Sequence, residues 1–349
     1  MLLLYGSYGY TGRLIVEECR RQNLQVLLSG RNARQLAAQS QHTGYPYEVC
    51  QLNDTDTLRQ MLSRVKAVIH CAGPFRYTAH AMAQACVETG VHYTDITGEY
   101  EVFEKLARLD DVARKQNVMI MPGTGFDVVP TDCLAVYLKS KLPDATHLQL
   151  AFTGLSGGLS RGTRKSMIEN LGSPGKIRVN GKLTSLPLGK KVMEVDFGKF
   201  RHLTMCIPWG DIATAWYSTA IPNIEVYAGV SPKTLARIKY TRILNPLLRT
   251  RAVKNLLHLQ ADRQAGPTTE KILQGKSYVW GKVWNVQGKT AEARIETLNG
   301  YLLTSKTSVL IARLLLNGNF KPGFQTPAMA YGPDLILQVE GTIRTDGAS

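Results

Sequence analysis

Three glycines, spaced three residues apart, stand between the first apolar run of the chain and its first helical pattern. The apolar run is Leu2–Tyr5, and the glycines are Gly6, Gly9 and Gly12. In a dinucleotide-binding turn the first glycine allows a tight bend, the second lets the backbone approach a pyrophosphate, and the third lets the helix pack closely on the strand. The positive end of the helix dipole then faces the anion. The pattern predicts a dinucleotide-binding turn made of Gly6, Ser7, Tyr8, Gly9, Tyr10, Thr11 and Gly12.

Residues 1–125 repeat one alternation of short apolar runs with amphipathic helical patterns, which is typical of βαβ units and a parallel sheet. Strands are predicted over 2–5, 25–29, 47–50, 67–70, 92–95 and 118–121, and helices over 12–22, 54–64, 77–89 and 101–115. Asp54 is predicted to cap the helix that it precedes. We therefore expect an α/β fold with a Rossmann-type, doubly wound parallel sheet in residues 1–125.

After Pro130 the pattern becomes β-rich. A helix is predicted over 131–141, a Gly/Ser/Arg-rich loop covers 154–162, and the pair Asn180-Gly181 is typical of a two-residue hairpin. Strands are predicted over 147–153, 191–196, 202–206, 215–219, 225–229, 277–286 and 290–297. We expect a second, α+β domain with a mixed sheet over 126–325, which would bind the substrate and mediate oligomerisation.

The residues after the second predicted strand favour NADP(H) as the dinucleotide. An NAD site usually places Asp or Glu there to hold the ribose 2′-hydroxyl, whereas this chain has no carboxylate at that point. A guanidinium forms strong charge-assisted hydrogen bonds with a 2′-phosphate. The alternative is that Arg31 is a solvated residue at a helix start. The residues predicted to bind this half of the cofactor are Ser29, Gly30, Arg31 and Asn32.

Ligands of open α/β sheets lie beyond the carboxyl ends of the strands. A turn after the fourth predicted strand is therefore expected to meet the nicotinamide ribose, and it consists of Cys71, Ala72, Gly73, Pro74 and Phe75. Hydride transfer usually needs a proton donor or acceptor as well. The candidates are Tyr93, Asp95, Glu99, Asp127 and Asp132, the last two flanking the entry to the second domain. For each carboxylate the alternative role is a helix N-cap or an interdomain salt bridge.

The charge balance favours anionic partners, because 42 Lys and Arg against 27 Asp and Glu leave a net charge of +15. The segment 233–254 has no acidic residue and interleaves apolar residues with Lys233, Arg237, Lys239, Arg242, Arg249, Arg251 and Lys254. Such a basic amphipathic stretch could lie on an anionic membrane surface. The alternative is a pair of short helices, broken at Pro246, that pack their apolar face on the protein. Nucleic acid is not expected as a partner, because no reading element is recognisable.

The cysteines are scattered without a metal-ligand spacing, and no secretory signal precedes them. They are Cys19, Cys50, Cys71, Cys86, Cys133 and Cys206. We expect buried thiols in a reducing compartment, and no metal site. No apolar run approaches the roughly 20 residues that span a bilayer. A cytoplasmic protein, or one peripheral to a membrane, is therefore predicted.

Taken together, these motifs resemble those of the saccharopine dehydrogenase-like oxidoreductase family, in the branch with lipid-linked members and trans-acting enoyl reductases. The matching residues are 6–12, 29–31, 71–75, 92–99, 122–127, 129–132, 208–211, 300–301 and 326–328. Tyr8 departs from the pattern, since many relatives carry a smaller residue there. The resemblance implies a Rossmann domain followed by an α/β domain with a mixed sheet, with the C-terminal segment 326–349 packed back on the cofactor domain.

The resemblance also implies NADP(H)-dependent hydride transfer to or from a small or lipid-like substrate, such as the reduction of an enoyl (conjugated carbonyl) group. One alternative is imine or secondary-amine redox as in saccharopine metabolism. The chain has no evident arginine cluster for two carboxylates, although Arg161 and Arg164 could serve. Another alternative is a non-catalytic NADPH-binding module recruited to a membrane by residues 233–254. An exposed mixed sheet in the second domain would favour a homodimer.

Overall fold

The computed structural model of the protein describes residues 1–154, 158–264 and 266–347. They form two compact units. Unit 1 contains Met1–Val129 and Tyr301–Tyr331, and unit 2 contains Pro130–Gly300 and residues 332–347. The chain passes from unit 1 to unit 2 after Val129, whereas the boundary was predicted after residue 125. The difference arises because the turn that follows the last N-terminal strand still packs in unit 1.

Unit 1 is built on a parallel sheet whose first six strands have the order β6-β5-β4-β1-β2-β3. These strands are β1 (Leu2–Tyr5), β2 (Val26–Gly30), β3 (Tyr47–Val49), β4 (Ala67–His70), β5 (His92–Asp95) and β6 (Met119–Met121). The central strand β1 is covered on both faces, so that Leu2, Leu3 and Leu4 are completely buried. The predicted Rossmann-type parallel sheet is confirmed.

Helices connect these strands in the predicted alternation. They are α1 (Tyr10–Arg21), α2 (Ala33–Thr43), α3 (Thr55–Leu62), α4 (Phe75–Thr89), α5 (Tyr100–Leu106) and α6 (Asp110–Lys115). The predicted cap is confirmed, since Asp54 accepts a hydrogen bond from the Thr57 N–H at 3.2 Å. The single helix predicted over 101–115 is instead two helices joined by the 3₁₀ turn Ala107–Leu109.

Unit 2 begins with α7 (Val129–Lys141), which is followed by most of a second sheet. Its elements up to residue 229 are β7 (His147–Gly154), α8 (Arg161–Glu169), β8 (Gly175–Val179), β9 (Lys182–Leu186), β10 (Val192–Asp196), β11 (Arg201–Cys206), α9 (Asp211–Thr219) and β12 (Asn223–Gly229). The hairpin is confirmed, because Asn180 and Gly181 both have positive φ, 48° and 76°. Of the predicted loop 154–162, residues 155–157 lie outside the described residues.

The strand predicted over 215–219 is wrong, because these residues form the end of α9. The β-forming residues of this stretch suggested a strand. The residues buried in α9 include Ile212, Ala213 and Ala215, and Asp211 stands in its first turn, where a carboxylate favours the helix dipole. Tertiary burial of the helix, which includes every residue from Asp211 to Ala215, therefore overrides the local propensity.

The basic segment forms more helices than predicted. These are α10 (Pro232–Thr241), the 3₁₀ turn Arg242–Leu244, α11 (Asn245–Leu248) and α12 (Arg251–Asp262), followed by α13 (Thr269–Gln274). The first break precedes Pro246, which lies in the first turn of α11. Proline is tolerated there because its missing N–H would have no helical partner.

The C-terminal part of the chain divides between the units, against the prediction. It consists of β13 (Lys276–Trp284), β14 (Thr290–Leu298), α14 (Gly300–Leu316), β15 (Gly323–Phe324), α15 (Pro327–Tyr331) and β16 (Ile343–Asp346). In unit 1, β15 extends the parallel sheet beside β6. In unit 2, β16 pairs with β14. Each short strand pairs with the open edge of a different sheet. Residues 326–331 therefore belong to unit 1, and residues 332–347 belong to unit 2.

The sheet of unit 2 is mixed, as predicted. Its main path runs β10-β11-β12-β7-β13-β14-β16, with β12 and β7 parallel and the other neighbours antiparallel. Helix α7 packs closely on it, since a Cβ on Gly281 would lie 2.7 Å from Leu138.

Among the helices that the structure describes, none combines the length and the apolar character that a membrane span requires.

Candidate functional site

The turn between β1 and α1 requires glycine at two of its three glycine positions. Gly6 has a φ of 79°, and a Cβ there would come within 2.9 Å of the Ala72 backbone nitrogen in the turn after β4. A Cβ on Gly12 would lie 2.5 Å from the Gly6 carbonyl oxygen. Gly9 is the N-cap residue of α1 and offers no side chain to cap it. The helix start is therefore open to an anion rather than closed by a capping side chain.

Two side chains that the sequence analysis missed brace this turn. Ser7 is completely buried, and its hydroxyl donates to Gln39 Oε1 at 2.7 Å, while Gln39 Nε2 donates to the Ser7 carbonyl at 3.0 Å. Arg13 Nε donates to the Tyr8 carbonyl at 2.9 Å. Both contacts fix backbone carbonyls of the turn. No local pattern identifies Gln39, because it lies on α2, 32 residues beyond Ser7.

The residues after β2 lie directly beside the glycine turn. The Ser29 carbonyl accepts a hydrogen bond from the Gly6 N–H at 2.7 Å. The Tyr8 ring covers Gly30, where a Cβ would come within 2.6 Å of the ring, so the unusual tyrosine of the turn needs a glycine opposite it. Arg31 is exposed and forms no ion pair within the described part of the chain. Asn32 instead caps α2, accepting from the Gln35 N–H at 3.0 Å.

The turn after β4 is held by a carboxylate from elsewhere in unit 1. Glu99 accepts the backbone N–H groups of Phe75 and Arg76, one on each carboxylate oxygen, at 3.0 Å each. These are the first N–H groups of α4, which follows the N-cap residue Pro74. Glu99 therefore acts as a helix cap in space, whereas the sequence suggested capping only of the helix directly after it. The turn itself leaves Gly73 exposed, with Cys71, Ala72 and Pro74 partly exposed and Phe75 buried.

Tyr93 and Asp95, at the end of β5, are completely buried and bonded to one another. The Tyr93 hydroxyl donates to Asp95 Oδ2 at 2.7 Å. The N–H groups of Thr97 and Gly123 donate to Asp95 Oδ1 at 2.9 Å each. Burial raises the pKa of Asp95 to about 6, and these hydrogen bonds limit the rise. Burial, followed by the adjacent carboxylate, raises the pKa of Tyr93 well above its usual range. The pair ties the turn after β5 to the turn after β6.

Asp127 lies against the turn that carries Glu99. A Cβ on Gly98 would lie 2.8 Å from Asp127 Oδ2, so this glycine permits the close approach of the carboxyl group. Burial and, secondly, the charge of Glu99 raise the pKa of Asp127 to about 7. The residue is only half-buried. A carboxyl group that is protonated near neutral pH and not fully enclosed suits proton donation.

Helix α14 holds the turn after β6 with hydroxyl groups. Thr304 Oγ1 accepts the Phe126 N–H at 2.9 Å, and Thr307 Oγ1 donates to the Thr124 carbonyl at 2.7 Å. The ring of Tyr301, at the start of the helix, packs edge-on against Tyr10 with 5.0 Å between centroids. This role of α14 was not predicted from the sequence. The signal for it is the run Thr304, Ser305, Thr307 and Ser308 within an otherwise apolar helix.

Asp132, unlike the other candidates, belongs to unit 2. It is completely buried in the first turn of α7. Its neighbour Thr131 donates to Asp211 Oδ1 at 2.5 Å, which connects two of the motifs noted in the sequence. Unit 1 thus brings together Tyr93, Asp95, Glu99 and Asp127 at the carboxyl edge of its sheet.

The fold and the glycine turn define unit 1 as a dinucleotide-binding domain of the Rossmann class. Residues 2–121 match the family model of the saccharopine dehydrogenase NADP binding domain. The resemblance to the saccharopine dehydrogenase-like oxidoreductase family is therefore confirmed, with NADP as the cofactor of this domain.

Curated relatives are similar to part of this chain. It is 27% identical to the saccharopine dehydrogenase-like oxidoreductase of Mus musculus over 55% of this chain and 50% of that protein. The lipid droplet localized protein of Caenorhabditis elegans is 29% identical, over 49% and 44% of the two chains. The trans-acting enoyl reductase of Mycobacterium ulcerans is 26% identical, over 44% and 39%. The chain spans about half the length of the first of these relatives, and less of the other two.

A solved structure shares the fold over the whole chain. Apo saccharopine dehydrogenase (L-Glu forming) from Saccharomyces cerevisiae superimposes with a TM-score of 0.69, covering 99% of each chain at 12% identity. This likeness concerns the fold alone.

Proposed function

We propose that the protein is an NADP(H)-dependent oxidoreductase that transfers a hydride to or from a small or lipid-like substrate. The observation that carries the proposal is the sterically required glycine turn of unit 1, within a domain of the NADP-binding family. When bound, the cofactor supplies the hydride chemistry. The proposal assigns its binding to the turn after β1, the residues after β2 and the turn after β4.

The residues of unit 1 fit NADP in two respects. The buried hydroxyl of Ser29 has no hydrogen-bond partner among the described residues, although it lies at the carboxyl end of β2 beside the glycine turn. Arg31 follows it with an exposed guanidinium that forms no ion pair in the same part of the chain. A 2′-phosphate would provide such a guanidinium with a bidentate partner. Asn32, occupied as a helix cap, contributes less to this proposal.

For the proton that accompanies hydride transfer, we propose Asp127. Tyr93 is completely buried, as is Asp95, and both are engaged with one another, while Glu99 uses both oxygens to cap α4. These three residues therefore act as positioning residues for the turns. Asp127 is the half-buried carboxyl of the group, with a pKa of about 7. In reduction it would donate its proton from the carboxyl, and in oxidation the carboxylate would accept one.

Within this class, we propose reduction of a conjugated carbonyl rather than imine chemistry. One relative is named a trans-acting enoyl reductase. Imine redox on a dicarboxylate needs cationic side chains for two carboxylates, and Arg161 already lies 3.8 Å from Asp262. The alternative of a non-catalytic NADPH-binding module is favoured by one observation, the structural engagement of Asp95 and Glu99. It predicts that the wild type binds NADPH but turns over no substrate.

The experiment that tests the cofactor assignment is a paired fluorescence titration with NADPH and with NADH. We expect the wild type to prefer NADPH, and Arg31→Ala to remove about 1.5–3 kcal/mol of that preference by deleting a charge-assisted bond. Arg108→Ala, which changes an arginine distant from this turn in the sequence, serves as the matched control. Equal binding of the two nucleotides by the wild type would contradict the NADP assignment, and binding of neither would contradict the dinucleotide site.

A further inference from the structure

The basic segment of unit 2 presents apolar side chains to solvent. Four of them are strongly exposed, namely Tyr240 at 84%, Ile243 at 86%, Leu244 at 46% and Leu247 at 56%. They follow one another along the end of α10, the 3₁₀ turn and α11. The segment does pack on the protein, but through Leu235, which is buried. The alternative given above, in which the short helices pack their apolar face on the protein, therefore explains the burial of Leu235 but not the exposure of the other four residues.

Helix α12 continues the same arrangement. Leu256 and Leu259, one turn apart, are 57% and 63% exposed. The helix is held to α8 by polar groups, since His258 Nε2 lies 2.7 Å from Glu169 Oε1 and Lys165 Nζ lies 2.8 Å from Asp262 Oδ1. Polar contacts thus hold α12 to its neighbour while leucines face water. Helix α12 buries Ala261 as a surface helix does, but it leaves Leu256 and Leu259 exposed in addition.

Basic side chains accompany the exposed apolar residues. Those that are exposed and form no ion pair within the described residues are Lys233, Arg237, Lys239, Arg249 and Arg251, of which Arg249 donates a hydrogen bond to the Gly172 carbonyl. No acidic residue occurs between 233 and 254. We call the exposed apolar and basic residues of α10, α11, α12 and the turns between them the basic–apolar surface. Its apolar residues are Tyr240, Ile243, Leu244, Leu247, Leu256 and Leu259.

We propose that the basic–apolar surface docks on an anionic phospholipid bilayer. Exposed apolar side chains gain free energy when they enter the boundary between headgroups and acyl chains, and unpaired cations gain it from anionic headgroups. Tyrosine is favoured at that boundary because its ring is apolar and its hydroxyl is polar. A nucleic acid would match the cations but leave the leucines in water. This inference does not depend on the proposed oxidoreductase activity.

The test is co-sedimentation of the full chain with vesicles of phosphatidylcholine alone and of phosphatidylcholine with phosphatidylglycerol. We expect binding to the anionic vesicles, weakened by salt. The double variant Ile243→Asp with Leu247→Asp should weaken it by at least about tenfold, because each apolar side chain loses its transfer free energy. Val286→Asp is the matched control, since Val286 is 79% exposed in the β13–β14 turn. It should leave binding unchanged.

A second pair of variants tests the charges. Lys239→Gln should weaken binding to anionic vesicles by about fivefold, the effect of roughly 1 kcal/mol per basic residue near such a surface. Lys289→Gln, in the β13–β14 turn, should have no effect. Equal binding to neutral and anionic vesicles would overturn the proposal, as would the absence of vesicle binding.

If the aspartate variant instead converted a dimer to a monomer in size-exclusion chromatography, without vesicle binding by the wild type, the occupant would be a second copy of the chain. That result would also overturn the proposal. Circular dichroism and thermal unfolding of the same variants should match the wild type, which shows that they are folded. An unchanged NADPH titration of the variants would separate this inference from the cofactor assignment.

Discussion

The turns after β1 and β2 differ in construction from the turns after β5 and β6, although all four lie at the carboxyl edge of one parallel sheet. In the first pair, backbone atoms approach so closely that Gly6 and Gly12 cannot carry a side chain. In the second pair, buried side chains accept the backbone N–H groups of neighbouring turns, as Asp95 and Glu99 do. The first construction leaves groups available to a ligand, and the second uses its polar groups internally.

Glycines and carboxylates that stand out in a sequence therefore differ in what they indicate about function. The glycine spacing indicates a turn whose backbone is closely packed and has room for a ligand at the helix start. A buried carboxylate has a charge that must be satisfied, and its partners can equally be protein backbone. Tyr93, Asp95 and Glu99 use their polar groups to hold the turns, whereas Asp127 is half-buried and has a pKa raised to about 7, which makes it the group best suited to proton transfer.

The largest effect on stability is expected in the turns after β5 and β6, from Asp95→Ala. This change removes the acceptor of three buried donors, from Tyr93, Thr97 and Gly123. We expect unfolding free energy to fall by about 3–5 kcal/mol, measured by chemical denaturation. Asp111→Ala, an exposed aspartate of α6, should change it by less than about 0.5 kcal/mol. A small effect of Asp95→Ala would mean that the turns do not depend on this carboxylate.

The pH dependence sharpens this prediction. The pKa of Asp95 rises on folding from 3.8 to about 6, so the folded state binds more protons than the unfolded state within that window. The contribution of this carboxyl to stability therefore decreases as the pH rises from about 4 to about 6. Asp95→Asn removes that decrease, so the variant should gain stability relative to the wild type as the pH rises through this window.

A second effect is expected on turnover rather than stability, from Asp127→Asn. If Asp127 is the proton donor, the variant should lose about 100-fold or more in turnover and keep its affinity for NADPH. The rate of reduction by the wild type should fall as the pH rises through about 7, because the donor then loses its proton. A carbon-13 titration of labelled aspartate should show one carboxyl with this pKa that disappears in the variant.

The control for this change is Asp111→Asn, which should leave turnover and the pH profile unchanged. Unaltered turnover in Asp127→Asn would place this carboxyl with Asp95 and Glu99 as a structural group. NADPH binding by the wild type without any substrate turnover would instead favour the non-catalytic alternative.

The smallest effect on stability is expected in the glycine turn after β1, from Gly12→Ala. The added Cβ would lie 2.5 Å from the Gly6 carbonyl oxygen and 2.7 Å from that of Ser7, so α1 must move away from β1. We expect a loss of about 1–3 kcal/mol in unfolding free energy together with weakened NADPH binding. Gly162→Ala in α8, whose Cβ would meet nothing nearer than 3.8 Å, is the matched control. Normal NADPH binding by Gly12→Ala would break the link between the steric requirement and the cofactor.

Several local features could be predicted because their causes are local. The strands β1 to β6 follow from apolar runs that need burial on both faces. The Asn180-Gly181 hairpin follows from two residues that tolerate positive φ. The cap at Asp54 follows from a carboxylate placed before a helix. Each depends on residues within one or two turns of the chain.

Features that depend on distant residues were missed or wrong. The prediction of a strand over 215–219 is wrong because tertiary burial of α9 outweighs β-propensity. The division of the C-terminal segment depends on which open sheet edge each short strand reaches. The outward exposure of Ile243 and Leu247 depends on which face of their segment the rest of unit 2 covers.

By itself, the sequence determined the Rossmann alternation and the glycine turn, because steric requirements and apolar periodicity are written in neighbouring residues. Only the tertiary structure decided the role of each carboxylate. Glu99 caps α4 across a separation of 24 residues, and α14 reaches the turn after β6 across 178 or more. Those partners are chosen by packing, since a buried charge takes whichever donors the fold places beside it.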